Sequence, residues 1–321
     1  MSSTNRRDFL KASALSGGAA VLGSISSSLT PAMAQNPEAP NVKSGWIDAH
    51  SHIWTTDLQK FPLANGQTRA DLKPPSFTAE ELLDLAGKSG VTRVVLIQHK
   101  PYHGVDNSYI TTSIAQFPGR FGGVACIEAE AAHPEREMDR LKGLGIRGFR
   151  IRPGEGGQPH WKDSPGMRTM WKHAGEAGLA ICPLIDPENI SQVDELCTLY
   201  PDTRVVIDHF ARIGMVFPVN DEHLKALERL ARHKHTHVKI SAYYALGAKK
   251  PPHTELLPMI RRLYETYGAK RLMWGSDCPY QITPPNNYAE SVALVRDKID
   301  FVTKEERDWL LRGTAESVFF S

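Results

Sequence analysis

The chain has 321 residues, a formal net charge of +2, 41% hydrophobic and 23% charged residues. That balance is ordinary for a globular protein and excludes low-complexity and collagen-like classes. Outside the N-terminal segment no basic block stands out, so neither a nucleic-acid partner nor a membrane surface is expected.

Residues 1–34 read as an export signal rather than part of the fold. Arg6-Arg7-Asp8-Phe9-Leu10-Lys11 is a twin-arginine pair, Ala12 to Leu22 is a mild apolar run, and Ala32-Met33-Ala34 is a small-x-small cleavage site. Charge, apolar run and cleavage site come in the order of a twin-arginine signal peptide. The apolar run is too short and too rich in Gly and Ser for a spanning helix. The expected location is periplasmic. Residues 35–44, with Pro37 and Pro40, read as a flexible arm. Residues 45–321 are expected to form one domain.

From there strand-like runs alternate with helical runs. Strands are expected at Trp46–Ala49, Arg93–Gln98, Gly122–Ile127, Ile146–Ile151, Ala180–Ile185, Arg204–Ile207, His237–Ile240 and Arg271–Trp274. Helices are expected at Ala79–Lys88, Ser108–Phe117, Pro134–Leu144, Pro165–Ala177, Asn189–Leu199, Asp221–His233 and Glu255–Tyr267, then around Tyr288–Lys298 and Lys304–Arg312. Leu224, Leu227 and Leu230, three apart, suit one buried helical stripe. Eight strands alternating with helices predict an α/β fold, a (β/α)8 TIM-like barrel, with an open doubly wound sheet as runner-up. No Gly-x-Gly-x-x-Gly follows the first strand, which disfavours a dinucleotide fold. Cys126, Cys182, Cys197 and Cys278 form no C-x-x-C motif and read mostly as buried thiols.

In a barrel the chemistry sits at the C-terminal ends of the strands. The first strand ends in His50-Ser51-His52, whose imidazoles, two residues apart, share one face. His209 ends the sixth strand, Asp277 follows the eighth, Arg150 and Arg152 end the fourth, and Tyr243-Tyr244 follow the seventh. Each has an ordinary structural explanation, as a turn residue, a surface cation or a packing ring. Their recurrence at one rim favours a site.

Asp48-Ala49-His50-Ser51-His52-Ile53-Trp54, Val206-Ile207-Asp208-His209 and Trp274-Gly275-Ser276-Asp277-Cys278-Pro279-Tyr280 resemble the amidohydrolase-related family. Within it they look most like the lactonase branch, which includes 2-pyrone-4,6-dicarboxylate hydrolase and sugar-acid lactonases. The resemblance implies a distorted barrel of amidohydrolase type, with His50, His52, His209 and Asp277 as functional residues. Binuclear members carry a carboxylated lysine on the fourth strand, where this chain has Arg150 and Arg152. Metal-dependent decarboxylases place a histidine after the fifth strand, where this chain reads Cys182-Pro183-Leu184-Ile185-Asp186. The expectation is therefore either one Zn²⁺, on His50, His52 and Asp277, or no metal.

The reading is a hydrolase that opens a lactone or related cyclic ester. Asp277 is the expected general base and His209 a catalytic partner. Arg150 and Arg152 are expected to bind an anionic small-molecule substrate, and Tyr243 or Tyr244 to donate to it. The alternatives are a metal-dependent non-oxidative decarboxylase of the same family and a non-catalytic periplasmic binding protein.

Overall fold

The computed structural model describes residues 44–155, 157 and 159–321. The export signal and nearly all of the arm lie outside the described residues. No helix among the described residues is long and apolar enough to cross a membrane.

Eight parallel strands pair in sequence order: β1 (Trp46–Ser51), β2 (Val91–Ile97), β3 (Phe121–Ala125), β4 (Ile146–Ile151), β5 (Ala180–Pro183), β6 (Arg204–Ile207), β7 (Thr236–Ser241) and β8 (Leu272–Gly275). The seam closes where β8 runs on beside β1, through a parallel bridge between Ser51 and Cys278. Two backbone bonds flank the bridge, Asp277 N to His50 O at 2.7 Å and His52 N to Cys278 O at 2.8 Å. Gly275 permits this approach, because a Cβ there would lie 2.8 Å from the His50 Cβ. The expected barrel is the observed one.

The helices are α1 (Ala79–Gly87), α2 (Lys100–His103), α3 (Ser108–Gln116), α4 (Pro134–Gly143), α5 (Pro165–Ala177), α6 (Ile190–Leu199), α7 (Asp221–Arg229), α8 (Leu257–Tyr267), α9 (Tyr288–Ala293), α10 (Lys304–Asp308) and α11 (Thr314–Phe319). Their starts are written locally. The Thr78 hydroxyl accepts from Glu81 N while Glu81 reaches back to Thr78 N, a reciprocal cap. Ser164 caps α5, with Pro165 at its first turn. α5 then buries Met167, Met170, Trp171 and Ala174, one stripe at helical spacing.

Two apolar layers result. The larger lies between strands and helices. The smaller fills the barrel lumen with Ile47, Ala49, Val95, Ile97, Val124, Ala180, Cys182, Val206 and Met273, joined by Ala315, Val318 and Phe319 of α11. The last helix thus stoppers the N-terminal mouth of the barrel and leaves the opposite rim for chemistry.

The expected elements differ from the observed ones mainly at their ends. β3 and β5 stop two residues early, and β1 continues to Ser51 with irregular register between Asp48 and Ser51. α8 starts at Leu257, because Pro258 occupies its first turn. The helix expected at Lys304–Arg312 is α10 followed by a π-type turn, Trp309–Gly313, that leads into α11. Six residues are too few to display a helical period.

Candidate active site

Three neighbouring strands hand over to the rim through backbone in the left-handed region. After β6, His209 to Arg212 have φ between 52° and 57°; after β7, Ala242 has φ 59°; after β8, Asp277 has φ 62°. Non-glycine residues rarely adopt this region, and such strain gathers at functional sites. At Asp277 a buried latch holds it. Asp48 Oδ1 accepts from Ser276 N at 2.8 Å and His50 N at 3.0 Å, and Oδ2 accepts from Ser276 Oγ at 2.5 Å and the Tyr288 hydroxyl at 3.0 Å. Burial pushes the Asp48 carboxyl up to about 6, although these donors oppose the shift.

The Asp277 carboxylate stands among the imidazoles. Oδ1 lies 3.3 Å from His52 Nε2 and 3.4 Å from His50 Nε2; Oδ2 lies 3.6 Å from His209 Nε2 and accepts the Tyr244 hydroxyl at 2.8 Å. Oδ1 is buried and has no hydrogen-bond donor. Burial disfavours the charged form, yet His209, His52 and His50 around it more than offset this and hold the carboxyl well below the usual range. The carboxylate is ionised at neutral pH and has a lone pair to offer.

The outer nitrogens of the rings are fixed by further partners. His52 Nδ1 lies 2.8 Å from Ile97 O and donates to it, which turns Nε2 toward Asp277. His209 Nδ1 meets Ser241 Oγ at 2.8 Å. Burial lowers His209 to about 4, with Asp277 opposing. His99, lowered to about 2 by burial and by His52, binds the Tyr280 hydroxyl through Nε2 at 2.6 Å.

Beneath the rim lies a buried cluster of charges. Asp208 takes Arg150 Nη2 at 2.9 Å and Nε at 3.3 Å on Oδ2, and Lys239 Nζ at 3.0 Å on Oδ1. Lys239 and Arg150 outweigh burial and hold Asp208 well below the usual carboxylate range. Arg150 Nη2 also lies 2.9 Å from His50 Nε2. A guanidinium only donates, so Nε2 must accept. His50 Nδ1 then carries the hydrogen and faces Asp208 Oδ1 at 3.2 Å. Burial and then Lys239 lower His50 well below its ordinary value.

His50, His209 and Asp277 bring their ligand atoms within 4.8 Å of one another, a triad of the kind that holds a metal ion. Two imidazoles and a carboxylate are donors that suit Zn²⁺. Neighbouring groups compete for these donor atoms. The His50 Nε2 lone pair is taken by Arg150, and two buried cations already balance Asp208 and Asp277.

Above the cluster opens a cavity of about 390 Å³, lined by His52, His99, Arg150, Arg152, His209, Arg212, Tyr244, Asp277 and Tyr280 among others. Arg150 reaches it with Nε and Nη2 already committed. Arg152 keeps a buried Nε without a hydrogen-bond partner. Arg212 pairs with Asp186 at 3.1 Å. Tyr244 faces the cavity and Tyr243 does not: it is fully buried, and its hydroxyl donates to Ile240 O at 3.0 Å. Either tyrosine was an expected substrate contact, and burial under the turn after β7 leaves Tyr243 a packing residue. Sequence reasoning passed over Asp48, Asp208, Arg212, Lys239 and Tyr280. Asp208 and Lys239 share the inward alternation of Val206 and Ser241, a signal that was available.

A closed barrel with an acid–imidazole cluster at its C-terminal rim defines a barrel hydrolase. The chain belongs to the amidohydrolase family, which matches residues 47–320. A twin-arginine translocation pathway signal sequence matches residues 3–23. The chain is 26% identical over 245 residues to L-fucono-1,5-lactonase of Burkholderia ambifaria, covering 73% of this chain and 80% of that one. It is 28% identical over 242 residues to 4-sulfomuconolactone hydrolase of Rhizobium radiobacter, covering 74% and 76%. Among solved structures it resembles a probable 2-pyrone-4,6-dicarboxylic acid hydrolase of Acinetobacter baumannii with citric acid bound. There the TM-score is 0.72 and the identity 23%, over 86% of this chain and 100% of that one.

Proposed function

We propose that this enzyme hydrolyses a lactone whose ring carries an anionic group, in the periplasm after removal of residues 1–34. The observation that carries the reading is the Asp277 carboxylate, ionised, without a donor on Oδ1, and part of the lining of a cavity that three arginines share. A group so placed suits a general base acting on water. A binding protein has no use for it. The curated relatives named for lactone hydrolysis support the same class of reaction.

In this mechanism water between the Asp277 carboxylate and the lactone carbonyl attacks the carbonyl carbon as its proton passes to Asp277. Arg150, with His209 beside it, stabilises the oxyanion. The ring C–O bond then breaks, and the proton on Asp277 passes to the departing oxygen, giving a hydroxy acid. Arg152 holds the anionic substituent. No step passes through a metal, because the triad's His50 lone pair is spent on Arg150. The test is a panel of carboxylated lactones screened for acid release with the purified mature protein. No release from any of them, with CO₂ evolved from aromatic acids instead, would favour the decarboxylase.

A further inference from the structure

Lys239 is a buried cation with no step of its own in this mechanism. It sits on β7 inside the barrel with no exposed surface. Lysine is almost never fully buried unless paired. Its ammonium lies 3.0 Å from Asp208 Oδ1 and 3.2 Å from His50 Nδ1, and the Phe319 ring of the α11 stopper lies below it, 5.4 Å to the centroid. His50 Nδ1 and the ammonium are both donors, so their closeness reflects convergence on the same oxygen rather than a bond between them.

Asp208 is thus gripped from two sides, by Lys239 on Oδ1 and by Arg150 on Oδ2. The grip aims Arg150 Nη2 at His50 Nε2 and the cavity. The same four charged groups balance: Arg150 and Lys239 against Asp208 and Asp277. A divalent ion entering the triad would add two positive charges beside four buried groups whose charges already cancel, an unfavourable change at low dielectric.

We infer that Lys239 is a positioning residue: anchored on Asp208 beneath the catalytic carboxylate, it fixes Arg150 and His50 and keeps the triad of His50, His209 and Asp277 from taking up a divalent ion. The kinetic part of this inference rests on the lactonase reading; the metal part does not.

The experiment compares wild type, Lys239→Met and Asp208→Asn/Lys239→Met as mature full-length proteins. Each is dialysed against chelator, titrated with zinc by calorimetry and assayed on the best lactone. Lys239→Met removes one positive charge and should bind one zinc more tightly than wild type, by about tenfold or more, as expected for removing a buried like charge near the triad. Its kcat should fall by a similar factor with KM little changed, since the arginine is misaimed while the anion site is intact. The double variant restores neutrality. It should return zinc affinity to the wild-type level and still lose kcat, because Arg150 has lost its carboxylate. Wild type that binds zinc as tightly as Lys239→Met, or a Lys239→Met protein with undiminished kcat, would overturn the inference. Should Lys239→Met fail to fold, the double variant, whose buried charges again sum to zero, decides: kcat retained there is equally fatal. If no lactone is turned over, the zinc comparison still stands.

Discussion

The Tyr244 hydroxyl donates to Asp277 Oδ2 at 2.8 Å, while Oδ1 of the same carboxylate has no donor. One oxygen is held by the tyrosine, which fixes the plane of the carboxylate, and the other is buried between His52 Nε2 and His50 Nε2.

Asp277→Asn keeps the shape and removes the base. Thermal melting should be near that of the wild type, while kcat on the best lactone falls by about 10²–10⁴. A folded variant with undiminished turnover would reject the mechanism and transfer attention to His209.

The two adjacent tyrosines should separate cleanly. Tyr244→Phe removes a hydrogen bond to a charged group, which costs about 1.5–3 kcal/mol of stability, and should also lower kcat by roughly one to two orders of magnitude. Tyr243→Phe loses only the bond to Ile240 O. It should cost about 1 kcal/mol of stability and leave kcat alone. Chemical denaturation and steady-state kinetics on both variants give the comparison, and equal kinetic effects would refute the assignment.

Arg152 and Arg150 were indistinguishable by position on their strand, and the structure gives them different surroundings. Arg152 retains an uncommitted buried Nε. Arg152→Met should therefore raise KM for an anionic lactone with kcat nearly unchanged, the signature of lost uniform binding. The defect should shrink for an uncharged lactone. A variant impaired equally on both would argue against anion binding at Arg152.

Much of this was legible in the sequence for a physical reason. Parallel strands buried on both faces read as apolar runs, and a barrel brings their C-terminal ends to one rim. His50, His52, His209 and Asp277 could therefore be grouped from their places at strand ends. Lys239 and Asp208 were harder, since a charged residue within or just after an apolar strand gives no hint of its partner on a non-adjacent segment. Asp48 was hidden for the same reason: its four donors come from Ser276, His50 and Tyr288, and two of these lie more than two hundred residues away. Local pattern locates the rim, and only the closed barrel shows what is neutralised beneath it.

Stability should fall as pH is lowered through the histidine range. Burial lowers His209 and His237 to about 4, His99 to about 2, and His50 well below its ordinary 6.5. Between pH 6.5 and 4 the unfolded chain binds protons that the folded chain refuses, so acid favours unfolding. Asp48 runs the other way. Its carboxyl is raised from 3.8 to about 6, so folding takes up its proton first, and its contribution is lost as pH rises through 6. One such group does not offset four histidines. Below 3.8 the depressed Asp208 and Asp277 add to the loss. Melting temperatures measured at intervals from pH 7 to 4 should decline throughout, and a flat profile would show that these rings are protonated in the fold.

The latch at Asp48 should couple stability to catalysis. Asp48→Ala leaves the buried backbone N–H groups of His50 and Ser276 without an acceptor, each costing about 1–3 kcal/mol. It also frees the Ser276 turn that carries Asp277 at φ 62°. Both the melting temperature and kcat should drop, with KM least affected because Arg152 stands on a different strand. Asp48→Asn should be milder. Its oxygen can keep the two backbone donors, and the Ser276 and Tyr288 hydroxyls can turn to accept from its amide. Ser276 Oγ already has an alternative acceptor in His50 O at 3.3 Å. Kinetics and calorimetry on the two variants test this ordering. An Asp48→Ala protein that melts like the wild type and keeps its kcat would show that the strained turn holds Asp277 in place without the carboxylate beneath it.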